Sequence, residues 1–365
     1  MVRLPATPLR INRSPQVGVK IIHEGFTFDD VLIRPAASRM EPSEASLKTT
    51  IAGIELSLPF LSAGMDRVTE APMAITLGKL GGLGVIHRNC SIEEQVAMVK
   101  AAKKAGVQVA AACGPFNTER AKALDEARCD AIVIDCAHGH NLNVVDSAEK
   151  IKKSLKNSRM IFGNIATAEA AQRVCAFTDA IKVGIGPGSI CTTRIISGVG
   201  APQLSAIMEV AEVAGTYKVA VIADGGIRTS GDIAKAFAAG ASAVMLGNMF
   251  AGTDETPGKI ITKGGKKYKE YRGMGSAAVI KSASGRERYF THGRKAVPEG
   301  VEALVPYKGP LADVVATLAS GVQVGMGYVG ARTIREMQKK AQFIHITHAS
   351  IAEGKPHSLS GIMGK

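Results

Sequence analysis

Short, nearly continuous apolar runs recur along residues 58–246, and each is followed by a polar or glycine-rich stretch. Most are separated by a segment with helical periodicity, such as residues 71–80. Strands buried on both faces have continuous apolar runs, whereas half-buried strands alternate apolar and polar residues. The pattern therefore predicts eight fully buried strands. They span residues 58–61, 83–86, 107–112, 131–134, 160–162, 181–183, 219–223 and 243–246.

Eight alternating strand and helix units predict an α/β fold, a (β/α)8 TIM barrel. Ser91, followed three residues later by Glu94, has the pattern of a capping box at the start of one helix. A barrel of about 250 residues or more forms one domain, which the 365 residues here allow. We predict an N-terminal arm at residues 1–27, the barrel at residues 28–346 and a C-terminal tail at residues 347–365.

The pattern changes after the eighth strand. Residues 252–310 are rich in Gly, Lys and Arg and have little helical periodicity, so we expect this long segment to be functional or disordered. Helical periodicity returns at residues 311–318 and 331–341, and the polar tail from Thr347 is expected to be mobile unless a partner orders it. Residues 325–330 match GxGxxG but follow no clear strand, so we do not interpret them as a dinucleotide-binding turn.

Composition and cysteine usage narrow the class of protein. Six cysteines are scattered without a CxxC pair or zinc spacing, which indicates free thiols and a reducing compartment. The basic N-terminus lacks an apolar signal region, and no run approaches the roughly 18 apolar residues of a membrane span. We therefore expect a soluble, cytoplasmic protein with no membrane partner.

The chain is basic, with 45 Lys and Arg against 32 Asp and Glu, a formal net charge of +13. Such a balance favours anionic ligands: nucleotides, phosphates or nucleic acid. The basic residues are spread out in isolated pairs rather than in one run interleaved with aromatic residues. A solvated surface is the better interpretation of this pattern than a nucleic-acid-binding face.

The chemistry of the chain centres on residues 181–203, where glycines crowd around Cys191. Glycine allows positive φ and close backbone approach, so this loop could wrap a small ion or a phosphate. Backbone N–H groups, hydroxyls and Arg194 would stabilise a thiolate at Cys191. The alternative is a tight strand–loop turn with an inert cysteine.

Other strand ends carry polar groups where barrel enzymes carry their working residues. Glycines 225, 226 and 247 could hold a phosphate, and Asp224 could accept hydrogen bonds from ribose hydroxyls. Asp224 and Asp135 could equally be turn or capping aspartates. His138 and His140 form an HxH pair, but no further ligands complete a metal site. Taken singly, Met65 and Met274 resemble core residues, and Arg288 and Tyr289 resemble surface residues.

Several longer motifs together resemble the inosine-5'-monophosphate (IMP) dehydrogenase family over residues 25–357. The combination is specific, although none of the shorter strings would be alone. The motifs are FDDV (28–31), MDRVTE (65–70), GGLGVIHRN (81–89), GIGPGSICTTR (184–194), GVGAPQ (198–203), ADGGIR (223–228), VMLG (244–247), YRGMGS (271–276), RYF (288–290), VPEG (297–300) and VPYKGPLADVV (305–315).

The resemblance implies an enzyme that oxidises IMP to xanthosine monophosphate (XMP) with NAD, in guanine nucleotide biosynthesis. Cys191 would attack carbon 2 of the purine, with Thr193 beside it. The substrate's phosphate, ribose and base would be held by Met65, Ser189, Asp224, Gly226, Gly247, Asn248, Tyr271, Gly273, Met274, Gly275 and Glu299. The cofactor NAD would be held by Asp135, Cys136, Ala137, His138, Asn164 and Gly184.

The resemblance also implies a potassium ion, a homotetramer and a mobile flap after the eighth strand. Backbone oxygens of Gly186, Gly188 and Cys191 would bind potassium. A neighbouring subunit would add to that site with Glu353, Gly354 and Lys355. The flap would span about residues 277–300 and carry Arg288 and Tyr289, which would activate water.

Some features depart from the family. Most members carry a pair of CBS regulatory modules after the second strand and its helix, whereas Asn89 here leads into one helix and then to Val107, so we predict no CBS domain. Arg67 replaces a usual Thr, Asn248 a common Ser, and Cys136 a usual Ser or Thr. These changes bear on nucleotide affinity and not on the reaction.

Two alternatives remain open at this point. GMP reductase shares the barrel and a similar cysteine loop, but its glutamate falls near Ala277 here and it lacks the Arg–Tyr pair. A nucleic-acid-binding role is allowed by the charge of +13.

Overall fold

A computed structural model describes residues 24–281 and 297–356 of the chain. Helices and strands alternate along most of it, and two short 3-10 turns, at Phe28–Asp30 and Pro42–Glu44, precede the barrel. Up to the end of the barrel the elements are β1 Val31–Ile33, β2 Thr49–Ile51, β3 Ile54–Leu56, β4 Phe60–Ser62, α1 Ala71–Lys79, β5 Leu83–Ile86, α2 Ile92–Lys104, β6 Val109–Cys113, α3 Thr118–Glu126, β7 Ala131–Asp135, α4 Leu142–Ser154, β8 Arg159–Ile165, α5 Ala168–Val174, β9 Ala180–Val183, α6 Thr193–Ser197, α7 Gln203–Tyr217, β10 Ala220–Asp224, α8 Ser230–Ala238 and β11 Ala243–Leu246. The remaining elements are β12 Ile261–Lys263, β13 Lys266–Arg272, α9 Ala277–Ile280, β14 Glu302–Pro306, α10 Leu311–Val329, α11 Ile334–Lys340, β15 Phe343–His345 and α12 His348–Glu353.

Strands β4 to β11 pair in parallel around a closed barrel, and β11 returns to pair with β4. The eight predicted strands and the TIM-barrel fold are thus confirmed. Some boundaries differ from the prediction. The first strand begins at Phe60, after Pro59, because the N–H of Leu58 donates instead to the carbonyl of Gly81. The fifth runs on to Ile165, through the polar Asn164.

Two apolar cores explain why the strand sequences are continuously hydrophobic. Alternate strand residues, such as Leu61, Val85 and Val133, fill the inside of the barrel. Their neighbours, such as Phe60 and Ile86, pack against the surrounding helices. The β2–β3 hairpin adds Ile51, Ile54 and Leu56 to the inner core and so covers one end of the barrel. Both faces of each strand are therefore buried, as the pattern predicted.

Short elements outside the barrel were not predicted. Residues 252–310 contain a three-stranded antiparallel sheet in the order β12–β13–β14 and the one-turn helix α9, so the described part of this segment is not disordered. Strand β1 pairs antiparallel with β15. The tail contains α12, ahead of the undescribed residues 357–365. Three-residue strands and single helical turns are too short to give a periodic pattern.

The GxGxxG sequence at residues 325–330 lies at the end of helix α10, which extends well beyond the predicted 311–318. It forms no strand-to-helix turn, in agreement with the sequence interpretation. Gly327 instead lets the helix approach Pro42, since an added Cβ would lie 3.2 Å from that ring. At Gly321 the space is even smaller, since an added Cβ would lie 2.2 Å from Oγ of Ser230. Within the described residues, no helix combines the length and apolarity required to cross a bilayer.

Candidate active site

A cleft of about 390 Å³ opens at the carboxyl ends of the barrel strands. Most of the residues singled out from the sequence line it, although they come from distant parts of the chain. They are Met65, Asp135, Cys136, Ala137, Asn164, Gly184, Gly186, Gly188, Ser189, Cys191, Thr193, Asp224, Gly226, Gly247, Asn248, Tyr271, Gly273, Met274, Gly275 and Glu299. Cofactor and ligand sites favour concave surfaces of this kind.

Cys191 lies half-buried in the loop after β9, at one end of a chain of hydrogen bonds. Its thiol donates to the hydroxyl of Thr193, with Sγ 3.1 Å from Oγ1. That hydroxyl donates to Oε2 of Glu299 at 2.7 Å. The three groups thus form a path along which the thiol proton can reach a carboxylate, which would leave a thiolate facing the cleft.

Backbone pairing holds Glu299 in that path. Its N–H donates to the carbonyl of Gly275 at 3.0 Å, and its own carbonyl accepts from the N–H of Thr192 at 2.9 Å. The next residue, Gly300, forms an isolated antiparallel bridge with Cys191. Residues 299 and 300 are therefore fixed against the cysteine loop itself.

Lys182 is a charged residue of the cleft that the sequence interpretation missed. It is only 2% exposed, and its ammonium lies 2.7 Å from Oδ2 of Asp224 and 3.4 Å from Oδ1 of Asp135. The same ammonium donates to the side-chain oxygen of Asn164, whose amide donates to Asp224 at 3.0 Å. Arg88, on the far side, approaches Asp135 to 4.0 Å. One buried cation therefore joins two cleft carboxylates. The sequence feature that could have indicated it is a charged lysine inside the otherwise apolar run 181–183.

Tyr271 and the nearby glycines form the part of the cleft best shaped for a small anion. Burial raises the pKa of the Tyr271 phenol to about 12, so it stays protonated and can donate a hydrogen bond. An added Cβ on Gly247 would lie 2.8 Å from that phenol oxygen. Gly225 and Gly226 have φ of +92° and +79°, values that favour glycine. These glycines therefore place no side chain in this part of the cleft, and an anion can approach their backbone N–H groups.

Other predicted residues are not brought into the cleft or are not described. His138 is exposed and does not line it. Glu353, Gly354 and Lys355, at the end of α12 and beyond, also lie outside its lining. Arg288 and Tyr289, with most of the predicted flap, fall in residues 282–296, outside the described part of the chain.

Burial distinguishes three of the other thiols from that of Cys191. All six cysteines are free, and burial raises the pKa of Cys136 and Cys175 to about 11 and that of Cys129 to about 12. Cys136 lines the cleft but its side chain is fully buried. In the described ranges, no three His, Cys, Asp or Glu side chains group as metal ligands.

Comparison with known proteins agrees with this geometry. Residues 25–357 match the family model described as IMP dehydrogenase / GMP reductase domain. Proteins named inosine-5'-monophosphate dehydrogenase from Methanocaldococcus jannaschii, Borreliella burgdorferi and Cryptosporidium parvum are each 41% identical to this chain. The matches cover 92%, 94% and 94% of this chain, and 95%, 99% and 97% of the three relatives respectively.

The lengths of these matches bear on the predicted absence of a CBS pair. The alignment with the M. jannaschii protein has 473 positions, more than the 365 residues of this chain, so that relative carries segments missing here. The alignment with the C. parvum protein has only 391 positions. The chain therefore fits a form without the insert. Because the family model matches residues 25–357, the chain belongs to the IMP dehydrogenase / GMP reductase family.

Proposed function

We propose that this protein is an NAD-dependent IMP dehydrogenase, which oxidises IMP to XMP through a covalent adduct with Cys191. The observation that carries the proposal is the path from the Cys191 thiol through Thr193 to Glu299, inside the strand-end cleft. The three relatives are all named for this activity. GMP reductase has no comparable support, because Ala277 stands where that enzyme's glutamate would fall.

Cys191 begins the reaction. Its proton passes to Thr193 and Glu299, and the thiolate sulfur bonds to carbon 2 of the purine, which becomes tetrahedral as the π electron pair of its double bond to N3 moves onto N3. When bound, NAD supplies the acceptor to which carbon 2 loses its hydride with both electrons, leaving a thioimidate on the sulfur. Water then adds to carbon 2, the C–S bond breaks, and XMP leaves with Cys191 as a thiol or thiolate.

The substrate is held along the floor of the cleft. Asp224 accepts hydrogen bonds from the ribose hydroxyls, and its carboxylate is already fixed by Lys182 and Asn164. The phosphate binds among the glycine-rich strand ends, where a neutral phenol and open backbone favour an anion. Those phosphate ligands are Ser189, Gly226, Gly247, Asn248 and Tyr271. The base and nearby atoms are held by Met65, Gly273, Met274 and Gly275.

The cleft also fits the nicotinamide end of NAD. Asp135 has its carboxylate oriented by Lys182 and Arg88, so that it can accept from the cofactor's ribose. Gly184 leaves no room for a side chain, since an added Cβ would lie 2.1 Å from the carbonyl oxygen of Asp224. Cys136, Ala137 and Asn164 complete this subsite. His138, which lies outside the cleft lining, would contact only a more distal part of the cofactor.

A potassium ion and a homotetramer complete the proposal. The loop at residues 186–191 offers backbone carbonyls, the ligands that suit a large and weakly hydrated cation. Beside it, Ile195, Ile196 and Val199 are 82%, 48% and 61% exposed, which suits burial against another subunit. A neighbour's Glu353, Gly354 and Lys355 would reach the ion across that contact, and the enzyme would work in the cytoplasm.

Water activation is assigned to Arg288 and Tyr289 by resemblance alone. Arginine is normally too basic to accept a proton, so it needs a partner that shares its proton network. Glu299 is a carboxylate of the described part of the chain that already accepts from Thr193. Once the Cys191 proton has passed from it to solvent, Glu299 would receive the proton that the attacking water releases.

The test is NADH formation from IMP and NAD, followed with and without potassium. Wild type should form NADH, faster in potassium than in a bulky organic cation. Cys191→Ala should bind IMP and form none. Full turnover by that variant would overturn the assignment. NADPH consumption with GMP would identify a reductase instead, and retention on RNA that falls with salt, without nucleotide turnover, would identify a nucleic-acid-binding protein.

A further inference from the structure

Lys308 lies two residues beyond β14 and makes its contacts behind the wall of the cleft. Its ammonium donates to the backbone carbonyl of Asn248 at 2.6 Å and to that of Met249 at 3.0 Å. Asn248 itself lines the cleft, whereas Lys308 does not. No role follows for Lys308 from the motif resemblance, in which it is only one letter of VPYKGPLADVV.

The carbonyls that Lys308 binds belong to the turn that leaves strand β11. In this turn the N–H groups of Phe250 and Ala251 both donate to the carbonyl of Gly247. A trans peptide directs its C=O and N–H to opposite sides. Holding the Asn248 carbonyl therefore also fixes the direction of the N–H of Met249, and it fixes the backbone on which the Asn248 amide stands.

The segment that carries Lys308 is itself firmly attached to the same turn. The N–H of Lys308 donates to the carbonyl of Gly252 at 2.9 Å, and the N–H of Asp254 donates to the carbonyl of Gly309 at 2.9 Å. The ammonium is consequently brought to the turn by backbone pairing on both sides of it. Burial lowers the pKa of Lys308 to about 8, so the side chain remains largely charged at neutral pH.

We propose that Lys308 is a positioning residue for the substrate's phosphate. It holds the Gly247–Asn248–Met249 backbone in its binding conformation and adds a positive charge one residue behind the cleft wall. The inference rests on the proposed function, because it takes the phosphate of IMP as the anion bound at this turn. A dianion next to carbonyls that an ammonium already neutralises is bound more tightly than one facing bare carbonyl oxygens.

Lys269 provides a matched control on the neighbouring strand. It is also buried, at 3% exposed, and its ammonium donates to the carbonyls of Thr253 at 3.0 Å and Thr256 at 2.6 Å. These acceptors belong to the same segment after β11 but do not line the cleft. Losing either lysine removes bonds to backbone carbonyls, and only the loss of Lys308 should change phosphate binding.

The experiment compares Lys308→Met, Lys308→Arg and Lys269→Met in the full chain at neutral pH. For Lys308→Met, KM for IMP should rise roughly 10- to 100-fold, the size of a lost charged hydrogen bond. KM for NAD and the inhibition constant of inosine, which lacks the phosphate, should stay within about twofold. Lys308→Arg keeps the cation and should retain KM for IMP within about threefold of wild type.

The outcomes separate this inference from the proposed function. Wild type that forms no NADH from IMP overturns the function itself. Active wild type combined with an equal shift for IMP and inosine in Lys308→Met overturns only the phosphate role. That role is also overturned if Lys308→Arg shifts KM for IMP as far as Lys308→Met, or if Lys269→Met changes the ratio of IMP to inosine affinity equally. Should Lys308→Met fail to fold, Lys308→Gln, which keeps a hydrogen-bond donor but not the charge, takes its place with the same expected rise in KM for IMP.

Discussion

Replacing Lys182 with methionine should destabilise the protein and weaken both ligand sites. Methionine has a similar length but no charge, so the change removes the ammonium from between Asp224 and Asp135 without leaving a large cavity. The two carboxylates then remain in a mostly buried position without the cation that joined them. Breaking a buried ion pair on one side is costly for this reason.

The size of the effect follows from the two distances, 2.7 Å to Asp224 and 3.4 Å to Asp135. With an effective dielectric constant of about 20, each contact supplies roughly 5–6 kcal/mol, most of which offsets removal of the charges from water. Removing one partner of a buried ion pair lowers the free energy of unfolding by about 3–5 kcal/mol. For 365 residues the unfolding entropy is about 0.77 kcal/mol/K, so the melting temperature should fall by about 4–7 °C.

Thermal unfolding followed by circular dichroism, at one protein concentration, measures the change. Lys103→Met is the matched control: its ammonium lies 2.8 Å from Asp130, but the pair is 33% and 23% exposed and should contribute at most about 1 kcal/mol. Adding Asp224→Asn to Lys182→Met should recover part of the loss, because one uncompensated carboxylate is removed. A melting temperature for Lys182→Met within about 1 °C of wild type would refute the reasoning.

Three further predictions concern the cysteine and the flap. Thr193→Val should bind IMP normally while kcat falls roughly 10²–10⁴-fold in steady-state assays, because the proton path to Glu299 is cut; unchanged kcat would rule that path out. An alkylating reagent at neutral pH should modify Cys191 well before Cys136, whose pKa is raised to about 11, and IMP should protect Cys191, as peptide mass spectrometry would reveal. Arg288→Lys should keep a burst of NADH near one per site while steady turnover falls roughly 10²–10⁴-fold; loss of the burst would assign Arg288 to binding or folding.

The barrel could be predicted from the sequence because both faces of every barrel strand are buried. That arrangement gives long apolar runs, such as residues 131–134, which are hard to mistake for surface segments. The outer sheet gave no such signal. Strand β13, KKYKEYR, alternates only weakly and packs one face on the protein, so its charges look like those of a loop. Strands β13 and β14 pair although they are far apart in the sequence, and a local pattern of residues cannot predict such pairing.

The site could be predicted as a set of residue types but not as a network. Motifs named the residues that line the cleft, because their spacing is fixed within each loop. The partnership of Thr193 with Glu299 joins residues 106 positions apart, and only the fold brings them to 2.7 Å. Lys182 and Lys308 were missed for the same reason: their importance lies in which oxygens they reach.

The β2–β3 hairpin has a consequence for how ligands bind and leave. It seals one end of a barrel whose interior is already filled with side chains such as Leu61 and Val85. In the part of the chain that the structure describes, the cleft is therefore closed on the hairpin side, so ligands enter and leave from the other side. The ligand that is bound deepest must then bind first and leave last. The shape of the cleft thus imposes an order of binding and release on the two nucleotides, water and their products.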